Sequence, residues 1–357
     1  MNDKQTNGQT DKQTNRQIKR ILYLDILNVL ACFAVLMLHH NGIVHNYDVN
    51  TLAWKQSLAF EVLFYWAVPI FFMLTGATLI RYREQYSTKA FFTKRFSRTV
   101  IPFLIWSIML LIYAWLFGNF PYKNAKDIFN AIVTTKIPHG DIYWFFIPLF
   151  SLYFFIPVLS LLKDRKDILW YMAFFIFVTH SCAPVLFNAL GLKYNFAMAF
   201  PTAGYTLFLL LGFLFSQIEL TRNQRIVIYV LGISSALIRY IGTYHYSLLA
   251  GKIDKYLFSY MHFHSVLLAL AVFIFIKQLV TFVNINNNLS NILSVASSCS
   301  LGIYLIHKLI MSLELRIFGL TADNFYWRFF GAFMTYSVCF LIVFFVKKIP
   351  YVRKFFP

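Results

Sequence analysis

The chain has 357 residues, of which 59% are hydrophobic and 20% aromatic, while only 13% carry a charge, and its mean hydropathy is +0.62. That composition excludes an ordinary soluble domain and predicts an all-α, polytopic integral membrane protein. The formal charge of +18 does not point to nucleic acid, because the basic residues are spread among short connections that leave no room for a nucleic-acid-binding fold.

The first 20 residues, rich in Gln, Asn, Thr and Lys, read as a disordered cytoplasmic tail, and residues 21–357 as a single transmembrane domain. Apolar stretches long enough to span a bilayer predict about ten helices, at roughly 22–41, 58–80, 97–118, 142–162, 168–187, 201–217, 226–245, 256–276, 292–314 and 326–346. The first run follows Lys19 and Arg20 and lacks a small-residue cleavage site, so a cleaved signal is not expected. Pro69, Pro102, Pro148 and Pro157 fall inside predicted spans and suggest kinked helices around a cavity. Cys32, Cys182, Cys299 and Cys339 lie in apolar runs and read as small core residues. No metal is expected, since His262 and His264 do not have the i, i+4 spacing of ligands on a helix.

The first span carries Asp25, Asn28, Cys32 and His39. Their spacing of i, i+3, i+7 and i+14 puts them on one face of a helix, and ionisable residues inside a membrane mark sites by default. The plainer reading has them snorkelling toward the two interfaces. The connections set the orientation. With the N-terminus in the cytoplasm, 21 Lys and Arg fall on the inner side and eight on the outer, which predicts both termini inside. His39, Glu61 and His307 then belong to the outer half, and Arg81, Arg83, Lys94, Arg95 and Arg98 to the inner face. This division suits an enzyme that passes a group from a cytoplasmic donor to an external acceptor. The basic residues would hold the donor's phosphates, and a histidine would deprotonate an acceptor hydroxyl near neutral pH. Topological flanking alone would also explain the basic cluster.

The string Leu24-Asp25-Ile26-Leu27-Asn28-Val29-Leu30-Ala31, continuing to His39, resembles the opening helix of the acyltransferase-3 membrane family, in particular its branch of bacterial surface-polysaccharide O-acetyltransferases. The likeness continues through Val68-Pro69-Ile70-Phe71-Phe72-Met73-Leu74-Thr75-Gly76 and Lys94-Arg95-Phe96 with Arg98, Pro102 and Trp106. It goes on through Tyr143-Trp144-Phe145 with Leu152, Tyr153 and Pro157, then Ser300-Leu301-Gly302-Ile303-Tyr304-Leu305-Ile306-His307, and ends at Lys348-Ile349-Pro350-Tyr351. The resemblance implies a multi-pass protein of a bacterial plasma membrane. Its activity would move an acyl group, commonly acetyl, from cytoplasmic acetyl-CoA to a hydroxyl of a surface glycan or its polyprenyl-linked precursor. The donor is then a substrate, and no permanently bound cofactor is implied.

In that family an Arg, ten intervening residues and a catalytic His share the first helix. The His falls on His39, whereas the Arg position holds Asn28, which removes a permanent charge from that helix. A second frequent Arg, ahead of Val-Pro, falls on Tyr65. Arg95 and Arg98 match their block, and with Lys94, Arg81 and Arg83 they are the acyl-CoA-binding candidates. Asp25 lies 14 residues, about 21 Å, below His39 and cannot touch its imidazole. Glu61 or Asp141 could orient the ring from the outer side. A transporter or flippase for a glycan or lipid-linked glycan would also use kinked spans and an intramembrane polar stripe. A catalytically inactive family member is a third reading.

Overall fold

The computed structural model describes residues 3–118, 120–202, 204–283 and 286–356, with side chains from Leu22 onward. Among the described residues every regular element is helical. In chain order the α-helices are α1 (Asp3–His40), α2 (Leu52–Phe64), α3 (Ala67–Leu79), α4 (Thr88–Arg95), α5 (Ile101–Leu116), α6 (Ala125–Val133), α7 (Phe146–Leu159), α8 (Lys166–Ile176), α9 (Ala183–Ala189), α10 (Thr206–Ser216), α11 (Arg222–Ala250), α12 (Phe263–Phe282), α13 (Asn287–Phe318) and α14 (Phe325–Lys347). α1 begins at Asp3 and continues without a break into the first span.

Nine helical stretches among the described residues are long and apolar enough to cross a membrane, several of them built from two helices joined end to end. Proline chemistry explains the joints. Pro69 cannot donate to the carbonyl of Tyr65, and the helix breaks there into α2 and α3. Pro102 and Pro184 each follow a wide turn of π-helix, at Phe96–Val100 and Phe177–Cys182, which absorbs the lost i→i−4 bond.

The tenth expected span, 201–217, differs from the others. Only Thr206–Ser216 is helical, and all eleven of its residues are buried. Eleven residues rise about 16 Å, half of a hydrocarbon core. Ahead of it, Phe200 has both backbone polar groups paired within the protein: its N–H donates to Thr179 Oγ1 at 3.0 Å, and His180 Nε2 donates to its carbonyl at 2.9 Å. The packing on α3 explains why this short helix sits so deep. A Cβ on Gly76 would lie 1.9 Å from the Leu209 carbonyl oxygen, and one on Gly212 would lie 2.0 Å from that of Met73. The two glycines let the backbones touch.

One end of the bundle carries Arg81, Arg83, Lys94 and Lys163, and we call it the basic end. α14 also finishes there, where Lys347 Nζ donates to the Ser298 carbonyl at 2.7 Å. α10 runs from the far end toward it, since Tyr205 packs 6.2 Å from Trp144 whereas Lys277 Nζ reaches the carbonyls of Phe215 and Ile218 at 3.1 and 2.6 Å. Thr206–Ser216 is thus a shorter apolar helix beside the nine stretches long enough to cross a membrane among the described residues.

Candidate active site

The site is built along the seam between α1 and α13, which run side by side in the same direction. Each presents a polar row at helical spacing. Asn28 Nδ2 donates to the carbonyl and hydroxyl of Ser297, both at 2.9 Å, and Cys32 Sγ lies 3.6 Å from the Ser300 carbonyl. At the far end the rings of His39 and His307 are 5.2 Å apart. A polar row on one transmembrane helix is thus met by a polar row on its neighbour, as hydrocarbon requires.

Two cavities open at opposite ends of this seam. The far cavity, of about 470 Å³, is lined by His39, His45, Glu61, Tyr65, Asp141, Trp144, Lys255, Tyr260, Tyr304 and Lys308 among others. Among the described residues no hydrogen bond holds the His39 ring. Its neighbour His40 turns away and is fixed between α1 and α14, with Nδ1 on the Trp327 carbonyl at 3.2 Å and Nε2 on Thr335 Oγ1 at 3.0 Å. Of the two adjacent histidines only His39 faces the cavity. Asp141 at the mouth pairs with Lys308 at 3.7 Å. In the turn after α1, burial and the charges of Lys255, Arg239 and Lys308 hold the His45 imidazole down at about 4, which leaves it neutral near pH 7.

The cavity wall is a stack of four groups. The Arg239 guanidinium lies 3.4 Å from the ring centre of Tyr65, Tyr65 stacks on Tyr260 at 4.0 Å, and Tyr260 stacks on Trp144 at 5.7 Å. Arg239 pairs with Glu61 at 3.6 Å, the side chains being 2% and 4% exposed, and its Nε donates to the Leu257 carbonyl at 3.0 Å. Glu61 is therefore engaged by Arg239, and neither it nor Asp141 hydrogen-bonds His39. The guanidinium absent at position 65 reaches the same place from α11. Arg239 is the residue that the sequence reading passed over. A lone arginine inside the apolar run 226–245 was the available signal, but nothing local told which wall it would join.

The cavity at the basic end, of about 300 Å³, is lined by Asp25, Asn28, Thr75, Thr78, Arg95, Thr99, Tyr153 and Ser297 together with apolar side chains. Arg95 is its one lining cation among the described residues. Its Nε is buried without a partner among the described residues, while the guanidinium also meets the Tyr153 hydroxyl. The remaining basic candidates point elsewhere. Arg81 pairs with Glu84 at 3.5 Å, Arg83 Nε donates to Ser160 Oγ at 2.7 Å, Lys94 rides on the Tyr86 ring at 3.8 Å, and Arg98 lies exposed on the π-helical turn. Asp25 accepts hydrogen bonds from Ser294 and Ser297, far from His39 as the helical rise required.

Between the cavities lies a layer of aromatic rings. Phe145 packs against Phe72 at 4.8 Å, Tyr304 at 5.6 Å and Phe71 at 5.9 Å, and the Tyr304 hydroxyl donates to the Ile142 carbonyl. Phe71 and Phe145 border the basic-end cavity, and Tyr304 borders the far one. These rings link the lining of the cavity that holds Arg95 and Asp25 to the lining of the cavity that holds His39. Among the proteins compared, no curated protein and no solved structure matches this chain. A family profile described as an acyltransferase domain covers residues 21–344, nearly the whole bundle and both cavities, and the chain belongs to the acyltransferase-3 family.

Proposed function

We propose that this multi-pass acyltransferase moves an acetyl group from cytoplasmic acetyl-CoA to a hydroxyl of a cell-surface glycan, or of its lipid-linked precursor, in a bacterial plasma membrane. The observation that carries the reading is the pair of cavities at opposite ends of the α1–α13 seam, with Arg95 in one and His39 in the other. The excess of basic residues assigns the Arg95 end to the cytoplasm. There Arg95 meets the phosphates of the donor. Asn28 and His39 are eleven residues apart, a rise of about 16 Å, which an extended pantetheine arm covers once the aromatic layer parts.

In the far cavity the acceptor hydroxyl gives its proton to a ring nitrogen of His39 as its oxygen adds to the thioester carbonyl. Collapse of the adduct breaks the carbon–sulfur bond, and the departing thiolate takes the proton from His39, leaving an ester and free coenzyme A. The two walls differ in polarity as the two substrates do. The basic-end cavity offers a cation to an anion, and the far one offers aromatic edges, carboxylates and lysines to a polyol.

The test is label transfer from radiolabelled acetyl-CoA to an envelope-glycan fraction by purified protein in liposomes, with His39→Ala beside it. We expect transfer to fall by about 10²-fold or more while coenzyme A binding and thermal stability are kept. Absence of coenzyme A binding and of transfer from several acyl donors would overturn the reading and favour a glycan carrier, for which opposed chambers are also suited.

A further inference from the structure

We propose that His307 is the positioning residue of this site, holding His39 in the tautomer and orientation that present a basic nitrogen to the acceptor. The inference rests on the acyl-transfer reading above and assigns the group that His39 otherwise lacks, since neither nearby carboxylate reaches its ring.

The argument begins with a proton. His307 Nδ1 lies 2.8 Å from the Tyr304 carbonyl oxygen. A carbonyl only accepts, so Nδ1 carries the hydrogen, and in a neutral ring Nε2 then bears the lone pair. That nitrogen is an acceptor with a fixed direction. His307 is fully buried, and its Nε2 has no hydrogen-bond partner among the described residues, an arrangement that is unfavourable when nothing compensates it. A buried acceptor of this kind asks for a donor nearby.

His39 is the donor within reach. The two rings are 5.2 Å apart with their planes inclined by 37°. Two imidazoles joined by an N–H···N bond of ordinary length have ring centres about 5 Å apart, the separation at which α1 and α13 already hold this pair. Catalytic hydrogen bonds are commonly long before substrate arrives. Once His39 donates one N–H to His307, its other nitrogen must hold a lone pair, and that nitrogen faces the acceptor hydroxyl. The same bond stabilises the imidazolium that forms when His39 takes the hydroxyl proton. His307 touches no reacting atom in this scheme and works through His39 alone.

The experiment compares His307→Phe with His307→Gln in liposomes. Gln keeps an acceptor oxygen near the place of Nε2, whereas Phe fills the space without one. We expect His307→Phe to lower kcat by about 10²-fold with KM for acetyl-CoA within twofold of wild type, and His307→Gln to recover at least a tenfold share of that loss. A second readout does not depend on acyl transfer. Nitrogen NMR of protein labelled in its imidazoles should show one His39 tautomer in the wild type and a mixture in His307→Phe, with His39→Ala identifying the resonances. Equal activity of the Phe and Gln variants, or a His39 tautomer indifferent to both, would overturn the assignment. A wild type without transfer whose His39 tautomer still depends on His307 would sink the acyl-transfer reading and leave the pairing standing.

Discussion

Adjacent histidines at the end of α1 show how one helical step separates two kinds of work. His39 opens into the far cavity, while His40 ties α1 to α14 through the Trp327 carbonyl and Thr335. Thr335 Oγ1 donates in turn to Glu314, and Gly331 leaves the room that the His40 ring needs, since a Cβ there would lie 2.5 Å from Nδ1. Removing His40 therefore strands buried partners. We expect His40→Ala to cost about 1–3 kcal/mol, seen as a lower midpoint of thermal unfolding in detergent, with the decline in activity following the loss of folded protein. His39→Ala should leave that midpoint nearly unchanged. A His40→Ala protein as stable as the wild type would contradict the structural role.

Among the elements, α10 is the one whose length departs most from a regular span, and its contact with α3 explains how a half-length helix is retained. The glycine pair Gly76 and Gly212 permits backbone contact that any larger residue would prise open. Gly76→Val should force α10 away from α3 and destabilise the fold by at least the 1–3 kcal/mol typical of overpacking. A thermal midpoint measured beside that of Gly42→Ala, where a Cβ would meet open space, checks the direction. A good part of this level was legible in the sequence. Apolar run length located the spans, and the period of Asp25, Asn28, Cys32 and His39 told which side of α1 faces protein. The same local signals could not report that α13 supplies the matching row, because Ser297 and Asn28 are far apart in the chain. Nor could hydropathy reveal that within 201–217 only Thr206–Ser216 is helical, since an apolar stretch reads alike whether it is wound or extended. Arg239 shows the same limit from the other direction: its oddity was visible, but its partners Glu61 and Tyr65 were not.

For the whole molecule, the layer of rings around Phe145 matters most, because it packs between residues that line the basic-end cavity and residues that line the histidine cavity. A bilayer that stores energy as a difference in proton concentration tolerates no continuous file of water across it, and an enzyme with chambers on both faces is one side chain away from being such a leak. We expect the aromatic layer to insulate the membrane, a duty separate from anything it does in acyl transfer. Proteoliposomes carrying Phe145→Ala should dissipate an imposed pH gradient several times faster than those carrying the wild type, as read by an entrapped pH-sensitive dye. Equal decay in the two would mean that other residues make the seal. On the acyl-transfer reading proposed above, a sealed layer would let donor and acceptor be reached from opposite sides of the membrane without short-circuiting a gradient across it.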